Sequence, residues 1–179
     1  MAFRLVVLIA LLGCSNAKTR FVDQYYTCEM GFFVSTTQVQ GNIGVANADA
    51  QCTALAGKVG DCAKRPWRAY LSTSGQNARD RIGNGPWYNL SGQLFSANLQ
   101  SLFSTAPQQS LFLTETGTDA SAFTVWTGST NTGTVAANTC SDFTLNSGQG
   151  QMGTPQSFWS DTTNQSCGNS KNLYCFASD

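Results

Sequence analysis

The sequence predicts a small, disulfide-stapled α+β domain with one principal helix and a long loop region. Three observations predict this class. Short segments rich in aromatic and β-branched residues recur between Gly and Asn turns, as strands do. A single stretch has the apolar periodicity of a helix. The cysteines that follow an export segment are even in number, as in a disulfide framework.

The first residues have the pattern of an export signal. Arg4 supplies a positive charge, and residues 5–12 form an unbroken apolar stretch that is too short to span a bilayer. We therefore interpret residues 1–17 as a signal peptide, residues 18–30 as an N-terminal tether and residues 31–179 as one folded domain.

Two processing routes are open for this signal. Leu-Leu-Gly-Cys at residues 11–14 resembles a bacterial lipobox, in which Cys14 becomes the lipidated first residue. The small residues at 15–17 instead suit an ordinary signal peptidase. No later segment has the length of apolar sequence that a transmembrane helix needs, so membrane attachment is expected only through a lipid on Cys14. The expected location is secreted, or the outer membrane or cell surface as a lipoprotein.

Charge is sparse and unevenly placed. Only 11% of the residues are charged, a composition typical of an exported protein and not of a nucleic-acid binder. After Arg81 the only basic residue is Lys171. A solvated face and an anion-binding patch for a sulfated glycan both remain open. The basic candidates for ligand contact are Arg65, Arg68, Arg79 and Arg81.

The chain contains no histidine. This excludes Ser-His-Asp and Cys-His catalytic systems and His-ligated zinc or iron sites. Two carboxylate pairs, Asp142 with Asp161 and Glu115 with Asp119, are formally open as the acid and base of a glycosidase, but nothing in the sequence marks them as buried or paired. We therefore predict a protein that is not an enzyme and needs no cofactor.

Six cysteines remain once Cys14 is set aside as lipidated or removed, and an even set in an exported chain indicates disulfides. They are Cys28, Cys52, Cys62, Cys140, Cys167 and Cys175. No pair has the short spacing of a structural zinc site, so no metal is predicted. The spacing alone does not choose among the many pairings that six cysteines allow.

The strands and the helix are predicted in order along the chain. Residues 31–36 form the first strand, which ends in a turn at Gly41. Asn47 is the predicted N-cap of the one principal helix, which ends at Gly57. Further strands are predicted over residues 67–71, 87–90, 93–95, 124–127 and 173–176.

Short helices are expected over residues 77–82 and after Ser96, where Ser96 is the predicted cap. The second of these would pack Leu99, Leu102 and Phe103 together. Residues 128–172 contain mostly Gly, Ser, Thr and Asn and are predicted to be loops held by a cross-link.

The aromatic side chains divide into two groups. Trp67 and Trp126 lie on predicted strands and are expected in the core. Trp87, Tyr88 and Trp159 lie near turns and are the aromatic candidates for exposed ligand contacts, against the alternative that they too are core.

Two segments match the N-glycosylation sequon. They are Asn89-Leu90-Ser91 and Asn164-Gln165-Ser166. Such matches are common by chance, and they are irrelevant in a bacterial source.

Several segments in order resemble one family. Gly-Asn-Ile-Gly-Val-Ala-Asn-Ala-Asp-Ala-Gln-Cys at residues 41–52, followed by Trp-Arg-Ala-Tyr-Leu-Ser at 67–72, resembles the endostatin domain of collagens. The resemblance is closer to the bacterial endostatin-like domains of the DUF1554 type, found in surface lipoproteins of spirochaetes such as Leptospira. Residues 95–103, Val-Trp-Thr-Gly at 125–128 and Leu-Tyr-Cys-Phe at 173–176 follow in the family's order.

This resemblance spans about residues 32–176 and implies an endostatin or C-type-lectin-like fold, with a twisted, mainly antiparallel sheet. It also implies two nested bridges, Cys52 with Cys175 and Cys140 with Cys167, which leaves Cys28 and Cys62 to each other. The family's zinc site depends on histidines that this chain lacks, so no metal is carried over.

The resemblance implies an adhesin-like binding domain. Its bacterial relatives engage matrix and plasma proteins such as laminin, fibronectin, plasminogen and complement factor H, so the expected partner is an extracellular protein or glycan. One alternative is a calcium-dependent lectin, since Phe-Trp-Ser-Asp at residues 158–161 resembles the Trp-Asn-Asp motif of such lectins. Another alternative is a structural envelope protein.

Overall fold

The computed structural model describes residues 30–59, 64–156 and 159–178, and over these ranges the chain is a mixed α+β structure with a mostly sheet core, as predicted. The strands are β1 (Gly31–Val34), β2 (Trp67–Ala69), β3 (Trp87–Asn89), β4 (Leu94–Ser96), β5 (Val125–Trp126), β6 (Gln149–Gly153), β7 (Thr163–Ser166) and β8 (Asn172–Ala177). The helices are α1 (Val45–Ala56) and α2 (Leu99–Ser104), with 3-10 turns at Ala78–Asp80 and Gln109–Leu111 and a helical turn at Cys140–Phe143. The predicted signal peptide, Cys14, Cys28, Cys62 and nearly all of the predicted tether lie outside the described residues.

Strand β8 is the hub of the sheet. Its residues 174–176 pair antiparallel with β1, while β2 pairs antiparallel with residues 175–177 and β5 pairs parallel with residues 172–173. The sheet then continues through β3 and β4 beyond β1, and through β6 and β7 beyond β5. The structure therefore confirms the strands that sequence patterning predicts at 31–36, 67–71, 87–90, 93–95, 124–127 and 173–176. Their ends differ from the prediction by one or two residues, and the last strand is one residue longer at each end.

Both faces of the hub are buried, and its residues 173–177 are apolar without interruption. On one face Cys175 belongs to a core with Trp67 of β2 and the apolar residues of α1. On the other face Phe176 belongs to an aromatic core that includes Phe32, Trp87 and the residues of α2. Alternate residues of each strand point to opposite faces, and this places Trp67, Ala69 and Leu71 in one core, as predicted. Trp126 is also buried, as expected.

Helix α1 begins three residues before the predicted start. Gly44, with φ of 72°, is its N-cap, and the amide of Ala48 donates to the Gly44 carbonyl at 3.0 Å. The prediction of Asn47 as the N-cap was wrong because its side chain donates back to the Ile43 carbonyl at 2.9 Å instead of accepting from the helix. The end of the helix at Gly57 is confirmed.

Helix α2 is capped by Asn98 and not by Ser96. The Asn98 side chain accepts from the amide of Ser101 at 2.8 Å, and the Ser101 hydroxyl accepts from the amide of Asn98 at 3.1 Å, which makes a capping box. Ser96, two residues earlier at the end of β4, donates its hydroxyl to the Asn98 carbonyl at 3.1 Å and so supports the cap residue.

The prediction that residues 128–172 are loops was wrong in part. β6 and β7 form an antiparallel pair within this stretch, through Gly150↔Gln165 and Gln151↔Asn164. Their residues have low intrinsic strand preference, and the edge of β5 organises them, since β6 pairs with Trp126 through Met152. Tertiary pairing therefore overrides composition in this region.

Among the described residues two disulfides are formed, with the pairing that the family resemblance implies. Cys52 of α1 is bonded to Cys175 of β8, and Cys140 is bonded to Cys167, which follows β7. All four sulfurs belong to buried residues. The first bridge attaches the helix to the hub strand, and the second attaches the turn after β5 to the end of the β6–β7 pair.

The turn Cys140–Phe143 is left-handed. Its four residues have φ of 54°, 52°, 58° and 61°, and none of them is glycine. This region of backbone conformation costs an L residue about 1–2 kcal/mol. The surrounding contacts must therefore hold the turn, and one of them is the disulfide at Cys140.

Candidate functional site

A polar groove lies where α1, β2, the segment 76–81 and the end of β8 meet. We call it the Asp49 groove, and its volume is about 540 Å³. It is lined by Val45, Ala46, Asp49, Arg68, Gln76, Asp80, Arg81 and Ser178. Two of the four predicted basic contact residues, Arg68 and Arg81, meet there although 13 positions separate them in sequence.

Asp49 is the centre of the groove. Nη2 of Arg81 lies 2.7 and 2.8 Å from its two carboxylate oxygens, and Nη1 of Arg68 lies 3.0 Å from Oδ2. The amide of Ala69 on β2 donates to Oδ1 at 2.9 Å. One carboxylate from the helix therefore fixes two arginines and satisfies an amide of β2 that the sheet leaves unpaired.

The two arginines differ in what they can still bind. The Arg81 side chain is only 6% exposed, whereas the Arg68 side chain is 45% exposed. Burial lowers the pKa of Arg81, and the neighbouring Asp49 carboxylate acts in the opposite direction. Because Arg68 spends one nitrogen on Asp49 and stays half in solvent, it is the groove residue best placed to donate to an incoming oxygen atom.

The groove is balanced in formal charge. Arg68 and Arg81 are cationic, while Asp49 and Asp80 are anionic. Asp80 is exposed and accepts from Nδ2 of Asn77 at 2.9 Å. The lining thus offers both donors and acceptors, which suits a ligand rich in hydroxyl, amide or carboxylate groups.

The other two basic candidates lie elsewhere. The guanidinium of Arg79 sits 5.4 Å from the ring centroid of Phe103, and its Nη1 donates to the Thr132 carbonyl at 3.3 Å. Arg65 is half-buried and is not one of the residues that line the groove. The four arginines therefore do not form a single basic patch.

Two of the three aromatic candidates for exposed contacts, Trp87 and Trp159, are buried, as the alternative core interpretation expects. Trp87 is fully buried, with Nε1 donating to the Ala177 carbonyl at 3.2 Å and its ring edge-on to Phe176. Trp159 is 3% exposed and packs against Tyr70 and Phe103. Proximity to a turn did not predict exposure, because the aromatic core extends to the sheet ends and encloses both rings.

Tyr88, the third aromatic candidate, is half-buried. Its neighbours along β3, Trp87 and Asn89, are both buried, and Tyr88 pairs across the sheet with Leu94 of β4. Leu94 is 49% exposed. This places Tyr88 near one edge of the sheet and outside the lining of the Asp49 groove.

The carboxylates considered as a catalytic pair are bound to other partners. Asp142 accepts from the amide of Ser74 at 2.8 Å and from its hydroxyl at 2.5 Å, and these bonds lower the pKa of Asp142. Glu115 is buried and accepts from the amide and hydroxyl of Thr36. Asp119 accepts from Ser121. Asp119 thus organises a local turn, whereas Asp142 and Glu115 each tie together two segments that are far apart in the sequence.

The resemblance of residues 158–161 to a calcium motif gains no geometric support. Trp159 and Ser160 are buried, and Ser160 donates its hydroxyl to the Thr130 carbonyl at 3.0 Å. Across residues 30–59, 64–156 and 159–178 there is no cluster of three or more His, Cys, Asp and Glu side chains suited to a metal ion.

Sequence reasoning missed the four other polar residues of the groove. They are Asp49, Gln76, Asp80 and Ser178. A signal was present for Asp49, because an acid one turn before Cys52 on the buried side of a helix requires a charged partner. No local signal marks Gln76 or Ser178, which reach the groove only through the tertiary fold.

No protein-family model matches this chain, and no curated protein shows significant similarity to it. Within the described residues, no helix is long and apolar enough to cross a membrane.

Proposed function

We propose that this protein is an exported, non-catalytic binding domain, secreted or held at the cell surface, that engages an extracellular protein or glycan through the Asp49 groove. The observation that carries the proposal is the groove itself, with a half-exposed Arg68 beside the exposed acceptor Asp80. This adhesin-like role needs a rigid surface that presents polar groups, and the arrangement supplies one.

The disulfides support an extracellular setting. Structural disulfides form and persist in oxidising compartments, and both described bridges are buried. They fix the helix that carries Asp49 and the turn that carries Asp142 relative to the sheet. A site built on such elements loses little conformational entropy when it binds.

The engagement of Asp49 argues for binding over catalysis. Its carboxylate oxygens already accept from two guanidinium groups and a backbone amide, so their lone pairs serve the structure of the groove. The endostatin or C-type-lectin-like assignment remains part of this proposal. A helix disulfide-bonded to the hub strand of a twisted sheet agrees with what that resemblance implies.

The test is direct binding by the mature chain. Purified protein is applied to immobilised matrix proteins and to a glycan array, and bound protein is quantified over micromolar concentrations. We expect saturable binding to at least one ligand. Arg68→Gln should weaken that binding about tenfold, the effect of losing one charge-assisted hydrogen bond.

Matched variants separate the groove from the rest of the surface. Gln76→Ala and Asp80→Asn remove groove groups, whereas Gln100→Ala and Asp119→Asn remove the same chemistry from exposed positions that do not line it. Weakening by the first pair alone supports the groove. Equal effects from both pairs, or no binding to any ligand, would refute the proposal.

A further inference from the structure

One of the two N-glycosylation sequons lies inside the fold. Asn89 ends β3, and its side chain is fully buried. Ser91, the hydroxyl residue of the same sequon, is exposed in the turn that follows. The acceptor nitrogen is therefore inside the protein, whereas the hydroxyl residue of its recognition sequence is exposed to solvent.

The Asn89 side chain uses all of its hydrogen-bonding capacity. Oδ1 accepts from the amides of Ser91 at 3.1 Å and Gln93 at 3.0 Å, and Nδ2 donates to Oε1 of Gln93 at 3.0 Å and to the Leu111 carbonyl at 3.3 Å. An amide has two donors and two acceptor lone pairs, so this set is complete. It holds together the β3–β4 hairpin and the segment before Phe112.

We infer that N-glycosylation of Asn89 and the native fold exclude one another, so the chain reaches its structure only by an export route that leaves Asn89 unmodified. In glycosylation, Nδ2 forms a bond to C1 of the sugar, the bond from C1 to the phosphate leaving group breaks, and one Nδ2 proton is lost. One of the two donor bonds disappears, and a sugar must occupy space that the core fills. The core cannot pack around the sugar without leaving either the Leu111 carbonyl or Oε1 of Gln93 without its hydrogen bond.

The second sequon provides the internal comparison. Asn164 lies on β7, the last strand at its end of the sheet, and is half-buried. Its side chain ties no two segments together by a hydrogen bond, and its Oδ1 is buried without a hydrogen-bond partner, so a sugar on Nδ2 removes no hydrogen bond there. A sugar on Asn164 should therefore be tolerated where one on Asn89 is not. The inference concerns the route of maturation and does not depend on the Asp49 groove.

The experiment modifies the unfolded chain and then asks whether it folds. The reduced, denatured mature protein is treated with a soluble N-glucosyltransferase and a nucleotide-activated glucose, which attaches one sugar to sequon asparagines. Ser91→Ala leaves only Asn164 open to modification, and Ser166→Ala leaves only Asn89. Both substitutions change exposed residues and leave both asparagines in place.

Refolding is followed in a glutathione redox buffer, and peptide mapping scores the Cys52–Cys175 and Cys140–Cys167 bonds. The unmodified fraction of each variant is its own control. We expect glucose on Asn89 to reduce the yield of natively paired protein at least tenfold, and glucose on Asn164 to leave it within twofold. Native pairing at full yield with glucose on Asn89 would overturn the inference, as would an equal loss from glucose at either site.

Discussion

The two disulfides anchor regions of opposite character. The Cys52–Cys175 region joins a regular helix to the hub strand within an apolar core. The Cys140–Cys167 region joins a left-handed turn to a polar segment, where Asp142 holds Ser74 and Gly41 donates its amide to the Cys167 carbonyl at 2.8 Å. The first region is stable by burial, and the second depends on specific local contacts.

This difference separates the part of the fold that sequence patterns predict from the part whose stability depends on individual contacts. A buried apolar core tolerates small changes in individual side chains, because its stabilisation is the sum of many weak van der Waals contacts. A left-handed turn of four non-glycine residues depends on a few bonds, each of which matters. The same kind of substitution should therefore change the free energy of unfolding by different amounts in the two regions.

The largest effect should come from the bridges. Replacing Cys52 and Cys175 together by Ala should lower the free energy of unfolding by about 5 kcal/mol, because the bridge closes a long loop in the unfolded chain. Replacing Cys140 and Cys167 should cost about 3.5 kcal/mol, since that loop is shorter. Their sequence separations are 123 and 27 residues. Urea unfolding of both double variants measures the difference, and a larger loss from the second would contradict it.

Removal of the two carboxylates, Asp49 and Asp142, should give the next largest losses of stability. Asp49→Ala should destabilise the protein by about 3 kcal/mol, because it leaves the buried Arg81 guanidinium without its partner. Asp142→Ala should cost about 1 kcal/mol, the usual net value of a side-chain hydrogen bond at a more accessible site. Chemical denaturation compares them, and equal losses would show that Asp49 is not the stronger of the two anchors.

Acid should weaken the second region through Asp142. Hydrogen bonds from Ser74 lower the pKa of this carboxyl in the folded protein, so its contribution is present above the unfolded pKa of about 3.9 and is lost as pH falls through the folded value. The stability difference between wild type and Asp142→Asn should thus shrink as the pH falls below about 5. Urea unfolding across this range tests it, and a constant difference would exclude the carboxylate as the cause.

Substitution by glycine should give the smallest changes in stability, with opposite signs in the two regions. Ser141→Gly should stabilise the protein by up to about 1 kcal/mol, because Ser141 is exposed and its φ of 52° is unfavourable for any residue with a Cβ. The same change at Ala50, exposed within α1, should destabilise by about 1 kcal/mol. Thermal unfolding of both variants gives the sign. Destabilisation by Ser141→Gly would mean that the serine side chain holds the turn.

The regular half of the fold was predictable from periodicity. The alternation of Trp67, Ala69 and Leu71 indicates a two-faced strand, and the apolar spacing from Ala48 to Ala56 indicates a helix. Both signals are local, so the sequence contains them without knowledge of the partner. The start of α1 was less predictable. The N-cap is Gly44 with a positive φ, whereas sequence patterns favour a residue with a capping side chain, such as Asn47.

The irregular half was not predictable, because its constraints are tertiary. A Cβ on Gly41 or on Gly150 would lie 2.5 Å from Sγ of Cys140, so both glycines make room for the second bridge. At Gly153 a Cβ would lie 1.8 Å from the Trp159 carbonyl oxygen. These positions resemble ordinary turn glycines in the sequence. The groove has the same origin, since α1, β2 and residues 76–81 meet only when the sheet has formed.

The position of β8 in the chain bears on how the protein folds. β8 pairs with β1, β2 and β5 and follows every other described strand in the sequence, so these three strands lack their common partner until residues 172–177 are available. Such non-local closure is slow relative to local folding. On the export route that we propose, the sheet cannot be completed while residues 172–177 are still inside a translocation pore, so the chain stays extended during passage. On the same route the paired sulfurs meet only after passage, where an oxidant can join them.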